Sequence, residues 1–146
     1  MSHQTPELTF HPSQGGYPFS NAIQAGDFVY VSGQIAFEAN GAVSTGPIEQ
    51  QTTLVLEQLK AILKQAGCTL GDVVKCGCTL QDARDFAGFN KVYATYFPHN
   101  PPTRTTLVPR PALTSWRATV ANTSSWAPDS TSSQCPARLR GSSGNP

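Results

Sequence analysis

The sequence is poor in charged residues, and one long stretch of it holds no carboxylate. Charged side chains make up 13% of the 146 residues, and no Asp or Glu occurs between Asp85 and Asp129. That stretch therefore brings no carboxylate acid or base to a reaction. The low charge density also indicates that part of the surface is buried against another chain, for which a homo-oligomer is the simplest arrangement.

Long apolar runs and targeting signals are also missing. No apolar run approaches 18 residues, so no membrane span is predicted. The first residues, MSHQTPELTF, lack the basic and apolar parts of a secretory signal. The net charge of +1 gives little attraction to nucleic acid or to a membrane surface. We therefore expect a cytoplasmic protein, with the mitochondrion as the alternative, and no membrane partner.

The cysteines and histidines do not predict a metal site. Cys76 and Cys78 form a C-x-C on a strand-like segment, which places both thiols on one face. A zinc site would need two further ligands, and the three histidines show no ligand spacing. Reduced thiols in a reducing compartment are the simpler interpretation.

Hydrophobic periodicity predicts one α+β domain over residues 1–121. An amphipathic helix is predicted between Pro47 and Gly67, and a second helix over Phe86–Phe97. The predicted strands are Leu8–Phe10, Ala22–Ala25, Phe28–Ser32, Val73–Leu80 and Thr103–Val108, with Ala112–Val120 as a weak candidate. This order favours a sheet with two helices packed on one face.

The last 25 residues differ in kind from the rest. In residues 122–146, 14 of the 25 are Ser, Thr, Pro or Gly, a composition that predicts a disordered tail. Charge changes as well: residues 103–146 carry five Arg against Asp129 alone, whereas residues 1–102 carry five Lys or Arg against eight acids. The arginines are scattered with few aromatic residues between them, which argues against nucleic acid as a partner.

Four segments occur in series that together resemble the reactive-intermediate deaminase family, called RidA or YjgF. They are GDFVYVSGQI, LEQLKAILKQAG, DVVKCGCTLQDARDFAGFNKVYATYF and PPTRTTLVP, and the likeness covers roughly residues 17–109. The resemblance implies a chorismate-mutase-like sheet and a homotrimer with ligand clefts between subunits. It also implies hydrolysis of 2-imino acids and enamines, such as 2-aminoacrylate, to 2-oxo acids and ammonia, without metal or organic cofactor.

The same resemblance assigns the site residues. Arg104 matches the family's arginine, the predicted catalytic residue, whose guanidinium fork suits the carboxylate of a small 2-imino or 2-oxo acid. Holding that carboxylate would fix the C=N carbon for attack by water. The other residues predicted to line the cleft are Phe19, Ser32, Gly33, Asn90 and Thr106.

Three positions depart from the family pattern. Phe19 stands where relatives carry a tyrosine, and Tyr17 lies two residues earlier, about 7 Å away along an extended segment. Thr106 replaces a frequent cysteine. The last strand should bring a glutamate, yet the aligned segment LTSWRATVA brings Arg117 instead.

These departures leave several functions open. The first is a working imine deaminase. The second is a catalytically impaired trimer that binds a small carboxylate, or an isoform whose C-terminus is altered by splicing or by a shifted reading frame. The third is an RNA-binding or endoribonuclease-like relative.

Overall fold

The chain folds as an α+β structure, seen here in a computed structural model that describes residues 7–109 and the backbone of 118–126. Over these residues it forms seven strands and two α-helices. The elements in chain order are β1 (Leu8–Pro12), β2 (Ser20–Ala25), β3 (Phe28–Val31), β4 (Gln34–Ile35), α1 (Ile48–Gln65), β5 (Val73–Leu80), α2 (Phe86–Tyr96), β6 (Thr103–Leu107) and β7 (Ala118–Trp126). The predicted fold class is confirmed.

The strands form one sheet whose order is β1-β2-β3-β7-β5-β6, with β4 also paired to β7. Each neighbouring pair is antiparallel except β5 and β6, which run parallel. Parallel neighbours need a crossover connection, and α2 provides it. The crossover places α2 beside β6, where Arg104 lies.

Helix α1 supplies most of the core. Its apolar face meets the sheet, and Val55, Leu56, Leu59 and Leu63 are at most 1% exposed. The helix ends at Gln65, and Gly67 follows with a φ of +73°, a backbone angle that glycine adopts without steric cost. The predicted helix between Pro47 and Gly67 is confirmed.

Helix α2 packs beside α1 on the same face of the sheet. The Tyr96 hydroxyl donates a hydrogen bond to Glu57 Oε1 of α1 at 2.8 Å. Phe89, Tyr93 and Phe97 are buried, and their rings contact one another in series, with centroids 5.6 Å and 4.7 Å apart. This aromatic row therefore runs the length of α2 above the edge of the sheet.

The final strand lies further along the chain than the sequence predicts. The weak candidate was Ala112–Val120, whereas β7 is Ala118–Trp126. The domain boundary predicted at residue 121 thus falls inside a strand, and residues 122–126 do not belong to a tail. Main-chain pairing with β3 and β5 does not require apolar side chains, which explains how a Ser/Thr-rich segment holds this place. Residues 127–146 lie outside the described residues, so the disorder predicted for them stays a prediction.

The face of the sheet opposite the helices is apolar at one end. Leu8, Phe10, Phe28 and Tyr30 are all at least 43% exposed. Strand register brings Phe10 and Tyr30 to either side of Ile23, so these side chains form a continuous patch. Such a patch is typical of a surface that another protein covers. The trimer remains a prediction.

A first prediction concerns the contact between the helices. A Cβ added at Gly88 of α2 would lie 2.6 Å from Ile48 Cγ2, a stiff β-branched side chain at the start of α1. We expect Gly88→Ala to lower the free energy of unfolding by about 1–2 kcal/mol, because overpacking costs more than the gain in helix propensity. The urea unfolding midpoint measures this change.

Gly71→Ala is the matched control. A Cβ there would meet only Thr69 Oγ1 at 3.4 Å, an ordinary contact. We expect its unfolding free energy to stay within about 0.5 kcal/mol of the unmodified chain. A Gly88→Ala variant as stable as this control would mean that the helices separate without penalty.

Candidate functional site

Arg104 lies on β6 with its side chain on the helix side of the sheet. Its register partner on β5 is Cys76, which is fully buried beneath the helices. The guanidinium carbon lies 4.7 Å from the ring centre of Tyr93, 5.5 Å from that of Phe89 and 5.7 Å from that of Phe86. Three rings of α2 therefore lie close to the positive charge.

The guanidinium opens into a pocket of about 490 Å³ at the edge of the sheet. The lining residues are Asn90, Tyr93, Ala94, Phe97, Pro101, Pro102 and Arg104. The structure thus brings together two residues assigned to the site, Asn90 and Arg104. Arg104 is the one charged side chain in this lining, so the pocket suits a small ligand with a single negative charge.

The charge of Arg104 is not neutralised by its neighbours. In the part of the chain that the structure describes, the ion pairs are Lys60–Glu57 and Arg84–Asp82, neither of which involves Arg104. Burial raises the pKa of the Tyr93 phenol well above its usual range, and it raises the pKa of the Cys78 thiol to about 12. Arg104 lowers both pKa values by its charge, but burial outweighs it, so both groups stay protonated near neutral pH.

Phe19 and Gly33 lie in a different pocket. That pocket, of about 530 Å³, lies between the β1–β2 connection, β4 and α1. Its lining residues are Ser13, Gln14, Gly15, Tyr17, Phe19, Asn21, Gly33, Gln34, Ile35, Phe37, Gln58, Ala61, Ile62 and Gln65. None of these carries a charge. Within one chain, Phe19 and Gly33 therefore line a different pocket from Arg104. The single cleft predicted to contain all three stays a prediction.

Ser32 and Thr106 line neither of these two pockets. The Ser32 hydroxyl donates a hydrogen bond to the Ser20 carbonyl at 2.6 Å, which ties the end of β3 to β2. Thr106 lies on the helix side of β6, opposite Cys78 in the strand register. The Cys78 thiol thus lies on the neighbouring strand beside Thr106.

Tyr17, which an extended segment would hold about 7 Å from Phe19, lines the same pocket as Phe19. The Phe19 amide donates a hydrogen bond to the Tyr17 carbonyl at 2.8 Å, so the segment bends instead of extending. The two rings stack with centroids 5.7 Å apart. The Pro18 between them was the signal, because proline favours turns. Tyr17 therefore lines the same pocket as Phe19.

Gly33 does not owe its place to an unusual backbone angle. The glycines with positive φ are Gly16, Gly26, Gly41 and Gly67. Gly33 is not among them, so its backbone does not require a glycine.

The sequence pattern of the Endoribonuclease L-PSP family matches residues 13–116, and the chain belongs to this family, which is also called RidA or YjgF. A RutC family protein of Pyrococcus abyssi is 46% identical over 88 residues, which cover 60% of this chain and 69% of that protein. The 2-iminobutanoate/2-iminopropanoate deaminase of Mus musculus is 36% identical over 88 residues, covering 60% of this chain and 65% of the mouse protein.

Solved structures share the fold. The crystal structure of yeast Mmf1 matches with a TM-score of 0.73 at 28% identity, covering 84% of this chain and 100% of that one. RidA from an Antarctic Psychrobacter species matches with a TM-score of 0.70 at 29% identity, covering 85% and 99%. Neither helix in the described part of the chain has the length and hydropathy needed to cross a bilayer.

Cys78 generates a prediction about alkaline stability. Burial raises its pKa from the usual 9.0 to about 12, with the nearby Cys76 thiol acting in the same direction. Between these values the unfolded chain loses the proton and the folded chain keeps it. The raised pKa of Cys78 therefore stabilises the folded chain fully below pH 9. That stabilisation is lost as pH rises toward 12, and the unfolding free energy falls by at most about 1.4 kcal/mol per pH unit.

Cys78→Ala tests this prediction. Urea unfolding at a series of pH values from 8 to 11 should show a shallower fall in the unfolding free energy than in the unmodified chain. Part of the fall in unfolding free energy with pH should remain in both proteins, because burial raises the pKa of Tyr93 as well. Equal slopes would mean that base reaches the thiol in the folded state.

Proposed function

We propose that this chain hydrolyses 2-imino acids and their enamine tautomers, such as 2-aminoacrylate, to 2-oxo acids and ammonia. The observation that carries the proposal is the guanidinium of Arg104 at the wall of a small pocket, where it forms no ion pair with any residue that the structure describes. The name of the mouse relative, a 2-iminobutanoate/2-iminopropanoate deaminase, supports the same reaction class.

The arginine binds the carboxylate that every 2-imino acid carries. Two parallel hydrogen bonds from the planar fork orient the substrate and fix the position of its C=N carbon. An enamine first takes a proton at C3 and becomes the iminium ion, the protonated form of the imine. Water attacks C2 and loses a proton to give a carbinolamine, whose nitrogen then takes a proton. The C–N bond breaks to release ammonia, and the hydroxyl loses its proton to leave the 2-oxo acid.

Proton transfer falls to water, which main-chain carbonyls can orient by accepting hydrogen bonds from it. No carboxylate occurs from residue 86 to residue 128, so the glutamate expected on the last strand is absent. Tyr93 and Cys78 are unsuitable bases, because burial raises their pKa values. Asn90 lies in the same pocket and is placed to hydrogen-bond the substrate or the attacking water.

We further propose that a neighbouring copy completes the site. Phe19 and Gly33 line one pocket and Arg104 lines another, which supports a cleft assembled from two subunits of a homotrimer. The exposed apolar patch on the open face of the sheet supports association. The proposed compartment is the cytoplasm, with the mitochondrion as the alternative.

A non-catalytic carboxylate-binding trimer is the second candidate, and the missing glutamate favours it. An RNA-directed activity is less well supported, although the family description names an endoribonuclease. The Arg104 pocket offers one cation, whereas a nucleic-acid strand carries a phosphate at every step and is held by several Lys or Arg side chains.

Imine hydrolysis tests the proposal. A serine dehydratase generates 2-aminoacrylate in place, and the rates of ammonia and pyruvate release are followed with and without this protein. We expect acceleration, and we expect Arg104→Ala to lower kcat/KM at least about tenfold because charge-assisted hydrogen bonds are lost. Arg84→Ala is the matched control: Arg84 is 90% exposed and pairs with Asp82 away from the pocket.

Binding of 2-oxobutanoate separates the candidates. A folded sample that binds it through Arg104 without accelerating hydrolysis would be a binding protein. Affinity unchanged in Arg104→Ala would overturn the site assignment. Binding of single-stranded RNA that falls steeply with salt and survives Arg104→Ala would support the third candidate.

A further inference from the structure

The guanidinium of Arg104 is held by groups that do not occupy its hydrogen-bond donors. Its carbon lies over the rings of Tyr93, Phe89 and Phe86, at 4.7, 5.5 and 5.7 Å from their centres. Within the described part of the chain it takes part in no ion pair. Arginine is usually fixed by a carboxylate, which would fill the fork that the ligand needs.

An aromatic face avoids that conflict. A ring attracts the cation through its quadrupole, and a guanidinium that lies parallel to the ring keeps its five N–H donors in its own plane, directed away from the ring. A stacked arginine is thus fixed in position and still presents its fork. A lysine in place of Arg104 would not bind the ligand carboxylate equally well, because its ammonium group is a point charge without a planar fork.

The three rings lie on one side of α2, and each lies within 6 Å of the Arg104 guanidinium carbon. Phe86, Phe89 and Tyr93 recur at helical spacing, and the Phe89 and Tyr93 rings contact each other with centroids 5.6 Å apart. Phe89 and Tyr93 are 1% and 5% exposed, whereas Phe86 is 42% exposed. The two inner rings are anchored in the core, and the outer ring can be changed without opening it.

We propose that Phe86, Phe89 and Tyr93 form an aromatic platform that positions the Arg104 guanidinium with its fork directed to the ligand, and that this platform sets the affinity of the site for a small monocarboxylate. Phe86 is a positioning residue in this arrangement, since it is absent from the pocket lining and acts through Arg104. The effect on affinity rests on the proposed function, whereas the packing of the guanidinium on the rings does not.

The first test is independent of any ligand. In the full chain, NMR of the arginine side chains should show the Arg104 Nε–H and Cδ–H protons shifted upfield by the rings. Phe86→Leu should reduce that shift, and the resonances of Arg84, which contacts no aromatic ring among the described residues, should not move. A normal Arg104 shift, or one that Phe86→Leu leaves unchanged, would overturn the platform.

The second test measures affinity for 2-oxobutanoate by calorimetry. We expect Phe86→Leu to weaken binding about two- to five-fold, the usual range for one cation–π contact at a partly exposed site, and Phe86→Trp to preserve or tighten it. In an Arg104→Ala background, Phe86→Leu should have no further effect. Unfolding midpoints of the variants show whether each remains folded.

Fluorinated phenylalanines at position 86 distinguish positioning from packing. One, two and three ring fluorines weaken the quadrupole in steps and scarcely change the shape. Affinity that falls in the same steps supports the platform, and a flat series would reduce Phe86 to an ordinary packing residue. If the unmodified chain binds no 2-oxobutanoate while the ring shift of Arg104 is present, the proposed function fails and the packing of Arg104 on the rings stands.

Discussion

Strand β7 is the constraint on which the remaining fold depends. It lies between β3 and β5 and also pairs with β4, so it joins the two parts of the sheet. One part, β1 to β4, lines the uncharged pocket, and the other, β5 and β6 with α2, holds Arg104. The family match ends at residue 116, two residues before β7 begins, yet the fold neighbours are covered almost completely. Main-chain pairing keeps the fold where the sequence likeness stops.

The elements with strong local signals were predicted well from the sequence. Helix α1 has an unbroken apolar face and ends near a glycine, and β5 matched its predicted bounds, Val73–Leu80. The bend at Tyr17 and the place of β7 were not predicted. The first depends on one turn around Pro18 and the second on partners far away in the chain, and neither leaves a periodic pattern.

The candidate site was predicted only in part, for a related reason. Family resemblance identified Arg104 and Asn90, which the structure places in one pocket. It could not show that Phe19 and Gly33 line another pocket of the same chain, because sequence order does not say which loops and strands lie side by side in the fold. The rings around Arg104 were visible as an apolar helix face, but their contact with the guanidinium depends on how α2 lies across β6.

The missing glutamate should slow the proposed imine hydrolysis less than it would slow most other hydrolyses. An iminium carbon is already electrophilic, so water needs orientation more than activation, and orientation is what a fixed arginine fork provides. A base adjacent to Arg104 would also pair with it and compete with the substrate carboxylate for the same donors. Aromatic support and the missing glutamate are therefore compatible features, because rings hold the cation in place while its donors stay open. The proposed catalysis then depends on how well the pocket orders one water beside the C=N carbon.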